Sequence, residues 1–194
     1  MDVTDNFKGI ESIFHRNRTR VMINFYRKYA EGNPVLDVGC GTGLILRKLP
    51  TSSIGLDINP WAVEKAREHA PGSQLVIADA EAIPFRDSSV TTVICTETIE
   101  HLPEPGTAIR EIHRLLKQEG KLIGSVPHDI FLWKLRVLSS TYPHSEPFHN
   151  QFKLKEMQKL LDAFKIVHIT TSLLGLNIVF VTEKEASEAK RGKQ

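Results

Sequence analysis

Apolar residues along this chain come in short unbroken runs, each closed by an acid, a glycine or a proline and followed by a segment of helical period. Val35-Leu36-Asp37-Val38, Ser53 to Asn59, Gln74 to Ala80, Thr92 to Glu97 and Lys121 to Pro127 are too short for helices and rich in β-branched residues. They predict five buried parallel strands. The segments between them predict a short helix over Leu44 to Leu49 and a helix opened by Pro60 that runs to about His69. A third helix carries Ala108, Ile109, Ile112, Leu115 and Leu116 on one face and is stopped by Gly120. A helix over Leu154 to Phe164 follows, and then two strands, Ile166 to Leu173 and Leu176 to Thr182, turned at Gly175. The link between those two strands is too short for a crossover, so they run antiparallel. Ahead of the first strand, residues 7–30 place Phe14, Val21, Met22, Phe25 and Tyr29 on one helical face, with Arg16, Arg20, Arg27 and Lys28 among the others. One long or two short amphipathic helices are expected there. Residues 128–151 make a connection too long for an ordinary link.

The chemistry begins where the first run breaks. Gly39-Cys40-Gly41-Thr42-Gly43 removes β-carbons at alternate positions, so a flat, bulky cofactor can approach the main chain. A helix starting near Thr42 or Gly43 would aim free N–H groups into the same space. Asp37 is expected to face the opening. Two families use such a turn. The dinucleotide fingerprint wants Gly-x-Gly-x-x-Gly, and its third glycine is Leu44 here. Asp57 closes the second strand where an acid can accept from both ribose hydroxyls, whichever cofactor is bound. Asp79 closes the third.

Composition narrows the class. With 194 residues, 41% hydrophobic and 25% charged, the chain suits one α/β domain with a proper core. No apolar run approaches the ~20 residues of a membrane span, and Met1-Asp2-Val3-Thr4-Asp5 lacks the basic flank and apolar core of a signal peptide. A cytoplasmic location follows as an expectation. Cys40 and Cys95, the two cysteines, make neither a disulfide framework nor a metal spacing, and no metal is expected. A formal net charge of +2 is too small to argue for nucleic acid.

Asp-x-Gly-x-Gly-x-Gly at 37–43 resembles motif I of the class I S-adenosylmethionine-dependent methyltransferases. Further echoes of their small-molecule type 11 branch follow in Asp79-Ala80-Glu81-Ala82-Ile83-Pro84-Phe85, Glu100-His101-Leu102, Arg110 to Lys117 and Phe148-His149-Asn150-Gln151-Phe152. The resemblance implies an α/β, Rossmann-like, seven-stranded sheet over residues 32–184 in the order 3-2-1-4-5-7-6, its last strand antiparallel, with helices on both faces. Residues 1–31 would form an N-terminal helical cap, 128–151 a lid insertion, and 185–194 a flexible tail. The cofactor implied is S-adenosyl-L-methionine. Gly39, Cys40, Gly41 and Gly43 would lie against its methionine and ribose portions, Asp57 would hold the ribose hydroxyls, Ile58 would pack on the adenine, and Asp79 with Ala80 would read the adenine edge. Thr96 and Glu97 would approach the methionine amino group or the acceptor.

A sulfonium methyl is already activated, so such a site mainly aligns nucleophile, carbon and sulfur and excludes water. A general base is needed only for a hydroxyl or a protonated amine. The candidates are His149 first, then His144, His101 and Glu97. Phe131, Trp133 and Leu135, with Lys134 and Arg136 beside them, suit a small, partly apolar acceptor or equally plain core or a dimer contact. Two other readings stay open: an RNA or protein acceptor held by the basic N-terminal helix, and a non-catalytic cofactor-binding domain. The acceptor and the oligomeric state are not readable from the chain.

Overall fold

The computed structural model describes residues 10–30, 32–129, 150–172 and 175–186. His144, His149 and the Phe131 to Leu138 patch lie outside the described residues, as does most of the expected tail. One helix, α1 (Ile10–Tyr29), precedes the sheet. The strands are β1 (Val35–Val38), β2 (Ile54–Asp57), β3 (Gln74–Ile77), β4 (Val90–Thr96), β5 (Leu116–Pro127), β6 (Lys165–Ser172) and β7 (Asn177–Glu183). They form one seven-stranded sheet in the order β3-β2-β1-β4-β5-β7-β6. β1 pairs in parallel with β2 and β4, β2 with β3, and β4 with β5. β7 runs antiparallel between β5 and β6. The order and the antiparallel closing strand are those expected.

Strand alternation divides the core between the two faces. Leu36, Val38, Leu56, Val93, Cys95 and Leu122 point to one side, where α3 (Pro105–Leu115) supplies Ala108, Ile109, Ile112 and Leu115. There α4 (Leu154–Leu160) and the residues after it add Met157, Leu161 and Phe164. Val35, Ile94, Ile123, Val179 and Val181 point to the other side, against Met22 and Ile23 of α1 and Ala66 of α2 (Pro60–His69). α2 starts where it does because Asn59 caps it, its side-chain oxygen accepting from the N–H groups of Trp61 and Ala62 at 3.0 and 3.4 Å, with Pro60 in the first turn.

Three local expectations are corrected. The helix expected over Leu44 to Leu49 is only a 3-10 turn, Leu46–Lys48. β4 starts at Val90 rather than Thr92. Gly120 does not stop α3: the helix ends at Leu115 and the chain turns extended at Leu116, which pairs with Val90. The chain then bulges before Lys121 pairs with Thr92. Gly120 serves close approach instead, since a β-carbon there would sit 3.0 Å from the Thr91 carbonyl oxygen.

Candidate active site

The parallel strands end together at one edge, with the order reversing between β1 and β4, and ligands of open α/β sheets bind outside such an edge. The three loop glycines there do different things. Gly39 has φ +70°, and a β-carbon on it would meet Thr98 Oγ1 at 2.1 Å. Gly43, φ +84°, lies against Ala66 of α2, where a β-carbon would come to 3.3 Å. Both glycines serve close packing of the turn. Gly41, φ +51°, has nothing within 4 Å of the place its β-carbon would take. Its bare backbone is the surface left open to a ligand.

The turn's N–H groups are mostly committed. Gly39 and Cys40 both donate to the Leu56 carbonyl (2.8 and 2.9 Å), and Gly43 donates to the Cys40 carbonyl at 2.9 Å. Gly41 donates to Asp57 Oδ2 at 2.8 Å, and Asp57 Oδ1 accepts from Asn59 N–H at 2.9 Å. The expectation of free helix N–H groups aimed at a ligand is therefore corrected, because the 3-10 turn is too short to offer them. The acceptor atoms are the better handle: each Asp57 oxygen keeps lone-pair capacity after its backbone bond. Ile58 beside it is 66% exposed and Trp61, on the first turn of α2, is 65% exposed. Asp79 sits exposed just past β3, its Oδ1 accepting from Glu81 N–H at 2.8 Å, and Ala80 is buried behind it.

Asp37 departs from expectation. Alternation sends Asp37 to the same face as Val35, under the glycine turn, where it is 1% exposed instead of facing the opening. The Leu46 N–H bonds its carboxyl, and Oδ2 has no hydrogen-bond partner. Burial, reinforced by the Asp57 charge, lifts its pKa to about 8. Above about pH 4 the unfolded chain has released this proton while the folded chain keeps it. Unfolding then releases a proton, so this group makes stability fall as pH rises towards 8. Asp37→Asn is expected to flatten the fall in melting temperature between about pH 5 and about pH 8, measured by thermal denaturation across that range. Cys40 is buried, its Sγ 3.7 Å from the Gly41 carbonyl oxygen, and burial raises the pKa of both cysteine thiols.

On the other side of the switch point, Glu97 follows β4 with φ +51°, a left-handed conformation that costs a non-glycine residue of order 1 kcal/mol or more. Neighbours on three elements hold it. Its N–H donates to the Ser125 carbonyl at 2.9 Å, and Oε1 accepts from Ser125 Oγ at 3.1 Å and Asn177 Nδ2 at 3.0 Å. Oε2 lies 3.0 Å from Arg18 Nη1 of α1. Thr98 Oγ1 stands within hydrogen-bond distance of the carbonyls of Thr96 and Val38, 3.1 and 3.3 Å away, joining the ends of β4 and β1. His101 ends a 3-10 turn, Ile99–His101, its Nε2 3.8 Å from Glu100 Oε1. Asn150 donates to the Leu102 carbonyl at 2.8 Å, so the chain re-enters beside His101.

The structure thus groups Gly41, Asp57, Ile58 and Asp79 at the β1-β2-β3 end of the edge, and Thr96, Glu97 and His101 at the β4 end. Sequence reasoning missed Arg18, Thr98, Ser125 and Asn177. The signal available for Ser125 and Asn177 was the strand order itself, which brings the end of β5 and the start of β7 beside the end of β4.

Residues 36–124 match a family described as "Methyltransferase domain". This stretch is thus similar to methyltransferase domains. A probable phthiotriol/phenolphthiotriol dimycocerosates methyltransferase of Mycobacterium ulcerans is 34% identical over 52% of this chain and 44% of its own. A ubiquinone biosynthesis O-methyltransferase of Histophilus somni is 31% identical over 73% of this chain and 64% of its own. The chain spans about half the length of the curated relatives it matches. Among solved structures, a Thermotoga maritima S-adenosylmethionine-dependent methyltransferase, described as a possible histamine N-methyltransferase, superposes with a TM-score of 0.72. At 20% identity, covering 89% of this chain and 92% of that one, it attests the fold alone. Among the described residues no helix is long and apolar enough to cross a membrane.

Proposed function

We propose that this chain transfers the methyl group of S-adenosylmethionine to a small, partly apolar acceptor. The observation that carries the reading is the uncovered Gly41 backbone beside Asp57, with Asp79 further along the same edge. In this reading the cofactor lies across the ends of β1, β2 and β3. Asp57 accepts from the ribose hydroxyls while the Gly41 and Asn59 N–H groups hold its carboxylate in place. Ile58 covers one adenine face, Asp79 and Ala80 meet the adenine edge, and Gly41 lets the methionine portion reach the backbone. Thr96 and Glu97 face the reacting end, where the Arg18, Ser125 and Asn177 contacts keep the Glu97 carboxylate in one orientation. The sulfonium supplies an activated methyl group; the protein aligns the acceptor in line with it and keeps water out. The relatives named for phthiotriol dimycocerosates and for ubiquinone biosynthesis support a small acceptor.

Calorimetric titration tests this. The protein is expected to bind S-adenosylmethionine and S-adenosylhomocysteine and to give no heat with NAD. Binding of NAD alone would return the turn to the dinucleotide family. Binding of both sulfur ligands without turnover on any acceptor would favour a non-catalytic domain.

A further inference from the structure

We propose that the Glu97–Arg18 pair reads the charge on the cofactor's sulfur: the carboxylate favours the sulfonium of S-adenosylmethionine over the neutral thioether of S-adenosylhomocysteine, and Arg18 of α1 sets how strongly. This deepens the methyltransferase reading above and rests on it. The two ligands share their adenosine, ammonium and carboxylate groups and differ by one methyl group and one positive charge at sulfur. A protein charge that tells them apart therefore acts at the sulfur, and its effect on the shared groups cancels in the ratio of the two affinities.

The pair stands beside the glycine turn. β4 lies along β1 with Cys95 opposite Val38, so the chain after Cys95 comes level with the turn. Thr98, the residue after Glu97, closes the join: its Oγ1 lies 3.3 Å from the Val38 carbonyl and is what a β-carbon on Gly39 would strike. In the cofactor reading the ribose sits at Asp57 and the methionine portion crosses Gly41, which brings the sulfur over the boundary between β1 and β4. The Glu97 carboxylate is tied to the far side of β4, where Oε1 accepts from Ser125 of β5 and Asn177 of β7. Two strand spacings, about 10 Å, then separate carboxylate and sulfur. A charge acts across that distance without contact where water is thin, and the Glu97 and Arg18 side chains are only 15% and 22% exposed.

Placement and balance of the charge come from different layers. A left-handed backbone at a non-glycine residue, φ +51° at Glu97, gives up stability for the placement of one side chain. The sheet fixes Oε1, while Oε2 lies 3.0 Å from Arg18 Nη1. Arg18 is carried by α1, whose Met22, one turn on, is buried against the sheet. The sheet thus sets where the negative charge stands, and α1 sets how much of it the sulfur feels. An unbalanced carboxylate would hold the sulfonium too well in the ground state and slow a reaction in which charge leaves the sulfur. Transfer removes that charge: the S–CH3 bonding pair stays on sulfur as the methyl group passes to the acceptor. The neutral thioether loses the attraction, which favours its exchange for fresh donor.

Calorimetric titration of the full chain with S-adenosylmethionine and S-adenosylhomocysteine, at low ionic strength, gives the ratio of their dissociation constants. It is compared across Arg18→Met, Arg18→Lys, Glu97→Gln and the double variant Arg18→Met with Glu97→Gln. Removing the cation alone is expected to move the ratio about fivefold towards S-adenosylmethionine, and removing the carboxylate alone about fivefold towards S-adenosylhomocysteine. The double variant and Arg18→Lys are expected to stay within about twofold of the unmodified chain. Added salt should shrink both shifts. Opposite shifts that cancel in the double variant are the mark of charge, and a loosened site does not produce them. Equal shifts for both ligands, shifts of one sign in both single variants, or an unchanged ratio would each overturn the proposal. The two Arg18 variants decide the matter alone where thermal denaturation shows Glu97→Gln to be unfolded. Binding of neither ligand by the unmodified chain would remove the methyltransferase reading itself, whereas binding with an unchanged ratio removes the charge pair and leaves that reading standing.

Discussion

Gly39→Ala will lower the unfolding free energy by about 3 kcal/mol or more, the sum of a left-handed backbone that an L side chain resists and a buried methyl forced against a neighbour. The neighbour is Thr98, whose Oγ1 would stand 2.1 Å from the new carbon. Thr98 cannot withdraw cheaply, because its hydroxyl lies against the Val38 and Thr96 carbonyls that end β1 and β4. Gly41→Ala should fail differently. It carries only the conformational cost of φ +51°, about 1–2 kcal/mol, since its β-carbon meets nothing within 4 Å. That methyl enters the ligand's space, so the affinity for S-adenosylhomocysteine should drop at least about tenfold while the fold persists. Urea unfolding and calorimetric titration of the two variants separate the effects. Equal loss of stability in both would refute the division of roles within the turn.

Asp57→Ala should weaken S-adenosylmethionine binding by about 100-fold, roughly 2.7 kcal/mol. Two losses combine: the charged acceptor for the ribose hydroxyls, and the bonds from the Gly41 and Asn59 N–H groups that shape the turn. Asp57→Asn should recover little of this, because its two oxygens each accept a backbone N–H and an amide nitrogen in either place would face a donor with a donor. Asparagine binding the cofactor as tightly as aspartate would show that the carboxylate merely braces the loop.

Strand order, the glycine turn and the acids closing β2 and β3 were legible from residue pattern, because buried parallel strands read as plain apolar runs and the resemblance fixed their sequence in the sheet. Side-chain direction at the turn was not. Asp37 looked available as a polar residue near a strand end, but the pleat sends it beneath the turn with Val35. Free N–H groups were inferred from a helix after Gly43, and the chain spends those groups on Leu56 and Asp57 instead. The Glu97 cluster was legible only in part: the strand order brings Ser125 of β5 and Asn177 of β7 beside the end of β4, while nothing in the sequence announces Arg18 of α1.

The loop after Asp79 is bolted to α3 by one side chain. Arg114 donates to the Ile83 and Phe85 carbonyls and pairs with Glu111 and Asp87, while Glu111 accepts from Ile83 N–H. The Arg114 hydrogen bond holds the Glu111 carboxyl below its usual pKa. None of these residues touches α1, the Gly175 turn or the Glu97 cluster in the contacts described. The half of the edge assigned to the cofactor thus has fixings of its own, and Thr98 and the Glu104 N–H bond to Glu81 are what tie it to the half assigned to the acceptor. Substitutions in α1 or at the start of β7 reach the second half without passing through those ties. A lineage built on this scaffold can exchange one acceptor for another by drift at α1 and the start of β7, while inheritance of the donor site continues.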